Sequence, residues 1–150
     1  MRTSDAVRSF RTRAMPASQT INGIELRRVD GNTVPQAALM LWFHGLAQIP
    51  DLFAKRYRPG SFVDTLTSCA GMPAGCGGQV TVWQIIDAGA TGSYGTVEEP
   101  YALPQKFPDP VTFTRIYTGG ATLIEAAWRS VGSPYQGLFV GDPLAAPYAK

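Results

Sequence analysis

The sequence predicts an α/β domain built on a parallel sheet flanked by helices, and three observations lead there. The run "ALMLWF" is continuously apolar between Pro35 and His44-Gly45, the pattern of a strand covered on both faces. Two amphipathic segments, "QVTVWQIIDAG" and "GATLIEAAWRSVG", each stop at a glycine. Short apolar or glycine-bounded runs lie between and after them, and strand–helix alternation means right-handed crossovers with helices on the sheet faces.

Taken in order, "SDAVRSFRTRAM" begins on cap-type residues and ends before Pro16, which predicts a short helix. "GIELRRVDGN" alternates loosely and closes on Asp-Gly-Asn, a strand followed by a turn. After "ALMLWF", the stretch "AQIPDLFAKRYRPG" reads as a long connection, "SFVDTLTS" as a second short strand, and "MPAGCGG" as a turn. In "QVTVWQIIDAG", Val82, Ile85, Ile86 and Gly89 fall on one side, Gln84 and Asp87 on the other. "ATGSYGTV" follows as a strand. "EEPYALPQKFPDP" carries four prolines and reads as an irregular surface loop.

The strongest helix is "GATLIEAAWRSVG". Thr122 and Glu125 form a capping-box pattern, and Ile124, Ala127, Trp128 and Val131 make the apolar stripe. Glu125 and Arg129 pair at i, i+4 on the other face. "QGLFVGDP" is the last strand. Only three or four strands are visible, and so small a sheet leaves an edge exposed. A homodimer, or earlier strands supplied by a longer domain, is the expected cover for that edge.

A chain of 150 residues fits one compact domain. With 45% hydrophobic and 11% aromatic residues it has enough apolar mass for a core, which excludes wholesale disorder. Charge is uneven: residues 1–28 hold six arginines against Asp5 and Glu25, a net +4, and the other 122 residues hold seven basic and nine acidic groups, a net −2. A basic arm can touch nucleic acid or anionic lipid. No recognition motif accompanies it, so a solvated segment is the preferred reading, and no nucleic-acid partner is expected. No apolar run approaches the roughly 20 residues that span a bilayer, and the N-terminus has no continuous hydrophobic region of the kind found in a secretory signal. No membrane association is expected. Cys69 and Cys76 could close a small disulfide or remain reduced, so the compartment stays open.

Sites in open parallel sheets form beyond the carboxyl ends of the strands. His44, the only histidine, follows "LMLWF"; Cys69 follows "FVDTLTS"; Glu98 and Glu99 follow "TGSYGTV"; Asp142 follows "LFVG". Parallel strands would bring all five to one edge, with Glu98, Glu99 and Asp142 as a binding rim. A Cys69–His44 dyad would give a thiolate nucleophile with the imidazole as base. The backbone N–H groups of Gly45 and Cys69 would then form an oxyanion hole. On spacing alone, a single cysteine and histidine are better read as structural. No metal is expected: Cys69, Cys76, His44 and Asp64 contain no close-spaced ligand pair. "GATGSYGTV" reverses the order of a dinucleotide fingerprint, and the two glycines of "YTGGATLIEA" more often make a turn than an anion site. No cofactor is expected.

The second half also resembles a known family. "PGSFVDTLTS", "GATGSYGTVEEP", "KFP", "GATLIEA" and "GDPLAAP" are similar to the ordered motifs in the C-terminal region of a bacterial family of unknown function, over about residues 59–148. That family is distantly similar to gingipain and caspase-like cysteine peptidases. Those place His-Gly after one parallel strand and a cysteine after the next, and often end a late strand in Gly-Asp-Pro. The resemblance implies a caspase-like sandwich, incomplete or truncated here, with 29–150 the C-terminal part of the domain; residues 1–28, a basic segment set apart by its charge, match no part of the family. Family members are longer and carry earlier strands. They carry a histidine where this chain has Thr65, and an aromatic residue or glycine where it has Cys69. What the resemblance implies is therefore a non-catalytic or degenerate member, possessing a surface for a peptide or protein segment. The alternative it leaves is a cysteine peptidase-type hydrolase using Cys69 and His44.

Overall fold

The structure, a computed structural model, describes residues 15–29, 37–99, 101 and 103–150. The helix expected over "SDAVRSFRTRAM" lies outside them except for Met15. The fold is mixed α/β. Its central sheet has four strands in the order β3-β4-β5-β6: β3 (Leu39–His44), β4 (Tyr57–Thr65), β5 (Gly92–Thr96) and β6 (Gly137–Gly141). Three α-helices accompany it among the described residues: α1 (Val82–Asp87), α2 (Pro110–Thr118) and α3 (Leu123–Arg129). Two earlier strands, β1 (Ser18–Ile21) and β2 (Ile24–Arg27), form a separate antiparallel hairpin.

The expectation of a wholly parallel sheet is corrected at one strand. β3, β4 and β5 are mutually parallel, but β6 runs antiparallel to β5, with Thr96 opposite Gly137 and Gly92 opposite Gly141. The reason lies in the connection. β4 returns to β5 through one helix, α1, which restores the starting edge and gives a parallel strand. Between β5 and β6 the chain passes along the sheet twice: the start of α2 meets the end of α3 through Pro108–Val131 pairing, the end of α2 lies at Gly60 near the start of β4, and β6 starts where β5 ends. Helix α2 begins at the last proline of the loop expected over residues 98–110 and continues through a stretch for which the sequence predicts no element. Its start is nonetheless encoded: Asp109 caps it by accepting from Thr112 N–H at 2.8 Å, and Pro110 occupies the first turn, where no N–H is needed.

Helix α3 starts at the expected capping box, and α1 starts at a second one that is not among the sequence expectations. Thr81–Gln84 and Thr122–Glu125 both close reciprocal capping boxes. The apolar stripe of α3 differs in part from the expected one: Ala127 and Val131 are buried as expected, Leu123 and Ala126 are buried beside them, and Trp128 is exposed. Small side chains at 126 and 127 suit the close packing of α3 against α2 in the same core cluster. The hairpin turn has Asn22 and Gly23 at φ 49° and 82°, the left-handed pair that a two-residue hairpin prefers. Asn22 Nδ2 donates to Arg115 O at 3.2 Å and Thr118 Oγ1 at 3.0 Å, which docks the hairpin on α2.

Both sheet faces are covered. One face gathers Phe62, Tyr94, Phe113, Tyr117 and Leu123 beneath α2 and α3, and the other Trp42, Val63, Val80 and Ile85 beneath α1. Among the described residues β3 is one edge of this sheet and β6 the other. A register shift between Leu39 and Leu41 accommodates Pro59 and Gly60 in β4. Gly60 has φ 80°, and its carbonyl accepts from the buried Tyr117 hydroxyl at 2.7 Å. Burial, and then the nearby Tyr148 and Asp142, hold the Tyr117 phenol far above its ordinary range. The unfolded chain releases this proton near pH 10, whereas the native chain retains it. The Tyr117 contribution is therefore complete below pH 10 and falls as pH rises beyond it. Denaturant melts between pH 9 and 12 should show a steeper loss for wild type than for Tyr117→Phe; parallel curves would show that Tyr117 does not titrate late.

Candidate functional site

His44 ends β3 and pairs in register with Thr65, the last residue of β4. Side chains alternate along a strand, so both lie on the α1 face with Trp42 and Val63. His44 is 9% exposed and its ring centroid is 4.4 Å from that of Trp42. The geometry assigns its tautomer. Leu46 N–H donates to Nδ1 at 3.1 Å, so the neutral ring carries its proton on Nε2, which lies 3.3 Å from Thr65 Oγ1. Protonating Nδ1 would set an N–H against the N–H of Leu46. Gly45 follows in a half-buried position.

Cys69 lies four residues beyond Thr65 and is 2% exposed. Its sulfur is bonded to Cys76, with Cα atoms 5.9 Å apart, a normal span for a disulfide. In this state Cys69 has no thiol proton to give and no thiolate to attack with. The backbone around it is fixed by β5 and α1: Gly71 N–H donates to Thr96 O at 2.9 Å and Val82 N–H to Ala70 O at 2.8 Å. Thr96 Oγ1 donates to Thr67 O at 2.9 Å. Thr65 and Thr96 hold His44 and the Cys69 loop; in the sequence Thr65 stands out only as a departure from the resembled family, and Thr96 not at all. Only strand register reveals them, because both are distant in the chain from what they contact.

The parallel part of the sheet brings His44, the Cys69 loop, Glu98 and Glu99 to one edge. Gln136 Nε2 donates to Glu99 O at 3.2 Å, which joins the start of β6 to this rim. Asp142 is not part of it. Because β6 is antiparallel, Asp142 stands at the opposite edge, where its N–H donates to Thr91 O at 2.9 Å. The four-ligand metal set also comes apart. Both sulfurs are in the disulfide, and Asp64, in register with Phe43 and Tyr94, faces α2 and α3, away from His44. Asp64 is fully buried there, and its charge, after burial, helps hold the Tyr94 phenol above its ordinary range. The first amides of α3 are engaged by the chain: Leu123 N–H donates to Ala145 O and Ile124 N–H to Pro143 O. No anion cradle is left at that turn.

Beside the shared edge, on the α1 side, lies an open groove of about 840 Å³. Gln48, Asp51, Phe53, Gln79, Trp83 and Asp87 line it, and the rings of Phe53 and Trp83 are solvent-accessible. Compared with protein-family models, curated proteins and solved structures, the chain matches none of them.

Proposed function

We propose that this chain is a non-catalytic member of the caspase-like sandwich class, in truncated form, acting as a binding domain for a peptide or protein segment. The state of the two candidate catalytic groups supports this reading. Cys69 is bonded to Cys76, and His44 uses Nδ1 to accept from Leu46 N–H and points its proton-bearing Nε2 at Thr65. A thiolate–imidazolium pair needs protons on both ring nitrogens, and Leu46 opposes the one on Nδ1. What the edge offers instead is backbone and surface. β3 carries no charge and no proline along Leu39–His44, the devices that normally blunt an edge strand. An extended segment from a partner, a second copy, or preceding strands of a longer chain would add beside it.

The second reading, a hydrolase using Cys69 and His44 after reduction, is favoured by one observation. β3 and β4 are adjacent and parallel, so the histidine and the cysteine loop leave the sheet side by side. The pH dependence of Cys69 alkylation separates the two readings, measured in a Cys76→Ala background with and without His44→Ala. On the binding reading, the rate climbs with pH as for an ordinary thiol with a pKa of about 8.5, and His44→Ala leaves the profile unchanged. A rate that is already maximal well below pH 8, and loses this behaviour without His44, would replace the binding reading with the hydrolase.

A further inference from the structure

We propose that Cys76 is a thiol–disulfide exchange site, the sulfur at which a small-molecule thiol opens the Cys69–Cys76 bond. This holds whether the domain binds or hydrolyses its partner, since it rests on the asymmetry of the two half-cystines. Cys69 is 2% exposed, and Ala70, Gly71 and Val80 around it are buried. Its half of the loop is anchored by the Gly71–Thr96 and Val82–Ala70 backbone bonds. Cys76 is exposed. It sits among Gly75, Gly77 and Gly78, all at positive φ (62°, 57° and 70°), and a Cβ placed on Gly77 would meet nothing within 4 Å. An attacking thiolate must approach the sulfur opposite the bond it breaks. That approach is open at Cys76 and walled off at Cys69.

The exchange balances as follows. The thiolate forms a new S–S bond to Cys76 Sγ, the Cys69–Cys76 bond breaks, and its electron pair leaves on Cys69 Sγ. Cys69 then takes a proton from solvent. Two acceptors await that proton: Cys69 Sγ is 3.6 Å from Cys76 O and 3.6 Å from Gln79 Oε1. A second thiolate attacking the mixed disulfide at its own sulfur yields the small-molecule disulfide and Cys76 thiolate. The consequence reaches the groove. Pro73, Ala74, Gly78 and Gln79 form one of its walls, and opening the bond frees the Cys76 end of that wall while Cys69 stays anchored.

Glutathione is the probe. Oxidised protein is mixed with glutathione at pH 8, quenched in acid, blocked with N-ethylmaleimide and mapped by mass spectrometry. The expected product carries glutathione on Cys76 and maleimide on Cys69, in at least tenfold excess over the reverse. Equal labelling, a preference for Cys69, or exchange that begins only in denaturant would overturn the assignment. The single variants supply a second reading with Ellman's reagent. The Cys76 thiol of Cys69→Ala should react at least tenfold faster than the Cys69 thiol of Cys76→Ala, and the ratio should fall to about one in urea. Equal native rates overturn the proposal. A variant whose native and denatured rates coincide is unfolded, and the wild-type map then decides.

Discussion

Phe113→Ala is expected to lower the unfolding free energy by about 3–5 kcal/mol, the range for removing a large buried aromatic side chain. Phe113 on α2 is fully buried. Its ring stacks on Phe62 of β4 with centroids 4.2 Å apart and planes at 18°, and meets Phe43 of β3 edge-on at 5.4 Å and 74°. Tyr117, one turn later, lies 5.6 Å away. This one side chain therefore joins α2 to two strands, and the cavity left by alanine would be lined by rigid aromatic rings that collapse poorly. Denaturant melts should show a lower midpoint with an unchanged m-value. As a control, Phe53→Ala, at an exposed position, should stay within about 0.5 kcal/mol of wild type. Equal small effects at both positions would mean that α2 does not carry the core.

Gly95→Ala is expected to cost about 1–3 kcal/mol, as overpacking does, and to disturb the candidate site directly. A Cβ at Gly95 would lie 2.6 Å from Gly71 N and 2.8 Å from both the carbonyl carbon and the Cβ of Ala70. Two of these are backbone atoms that cannot rotate away. Relief requires lifting the loop after β4 off β5 and lengthening the Gly71 N–H bond to Thr96 O. The same movement uncovers Cys69. After reduction, Cys69 in Gly95→Ala should therefore alkylate faster than in wild type, and the variant should melt earlier. Wild-type alkylation together with a wild-type midpoint would show that this loop is not seated on β5.

Much of the framework was legible in the chain. The apolar run at 39–43, the capping boxes at Thr81 and Thr122, and the glycine-bounded segments near 92–96 and 137–141 each signal an element through contacts between near neighbours. The Asn22-Gly23 pair carries a hairpin signal as well, and the structure shows the hairpin, with β1 paired to the expected strand β2. Helix α2 was harder. Its apolar positions 113, 116 and 117 sit among the weak helix formers Val111, Thr112, Thr114 and Thr118, and four prolines lie within residues 100–110. Its packing against Phe62 and Phe43 supplies what local propensity does not.

That one helix separates what the sequence determined from what only the tertiary structure decided. The sequence by itself specified the presence of β3, α1, β5, α3 and β6, because caps, turns and apolar periods act over three or four residues; it placed β4 at 61–68 rather than Tyr57–Thr65 and gave neither β1 nor α2. It did not specify the direction of β6, which depends on how many times the chain crosses the sheet between β5 and β6. With α2 present the crossings number two, β6 runs antiparallel, and Asp142 leaves the edge that holds His44. The pairing of His44 with Thr65, the closure of Cys69 onto Cys76, and the seat of that loop on Gly95 were likewise settled by strand register and close packing. These contacts join residues that local preferences leave independent, and only the shared burial of both sheet faces brings them together.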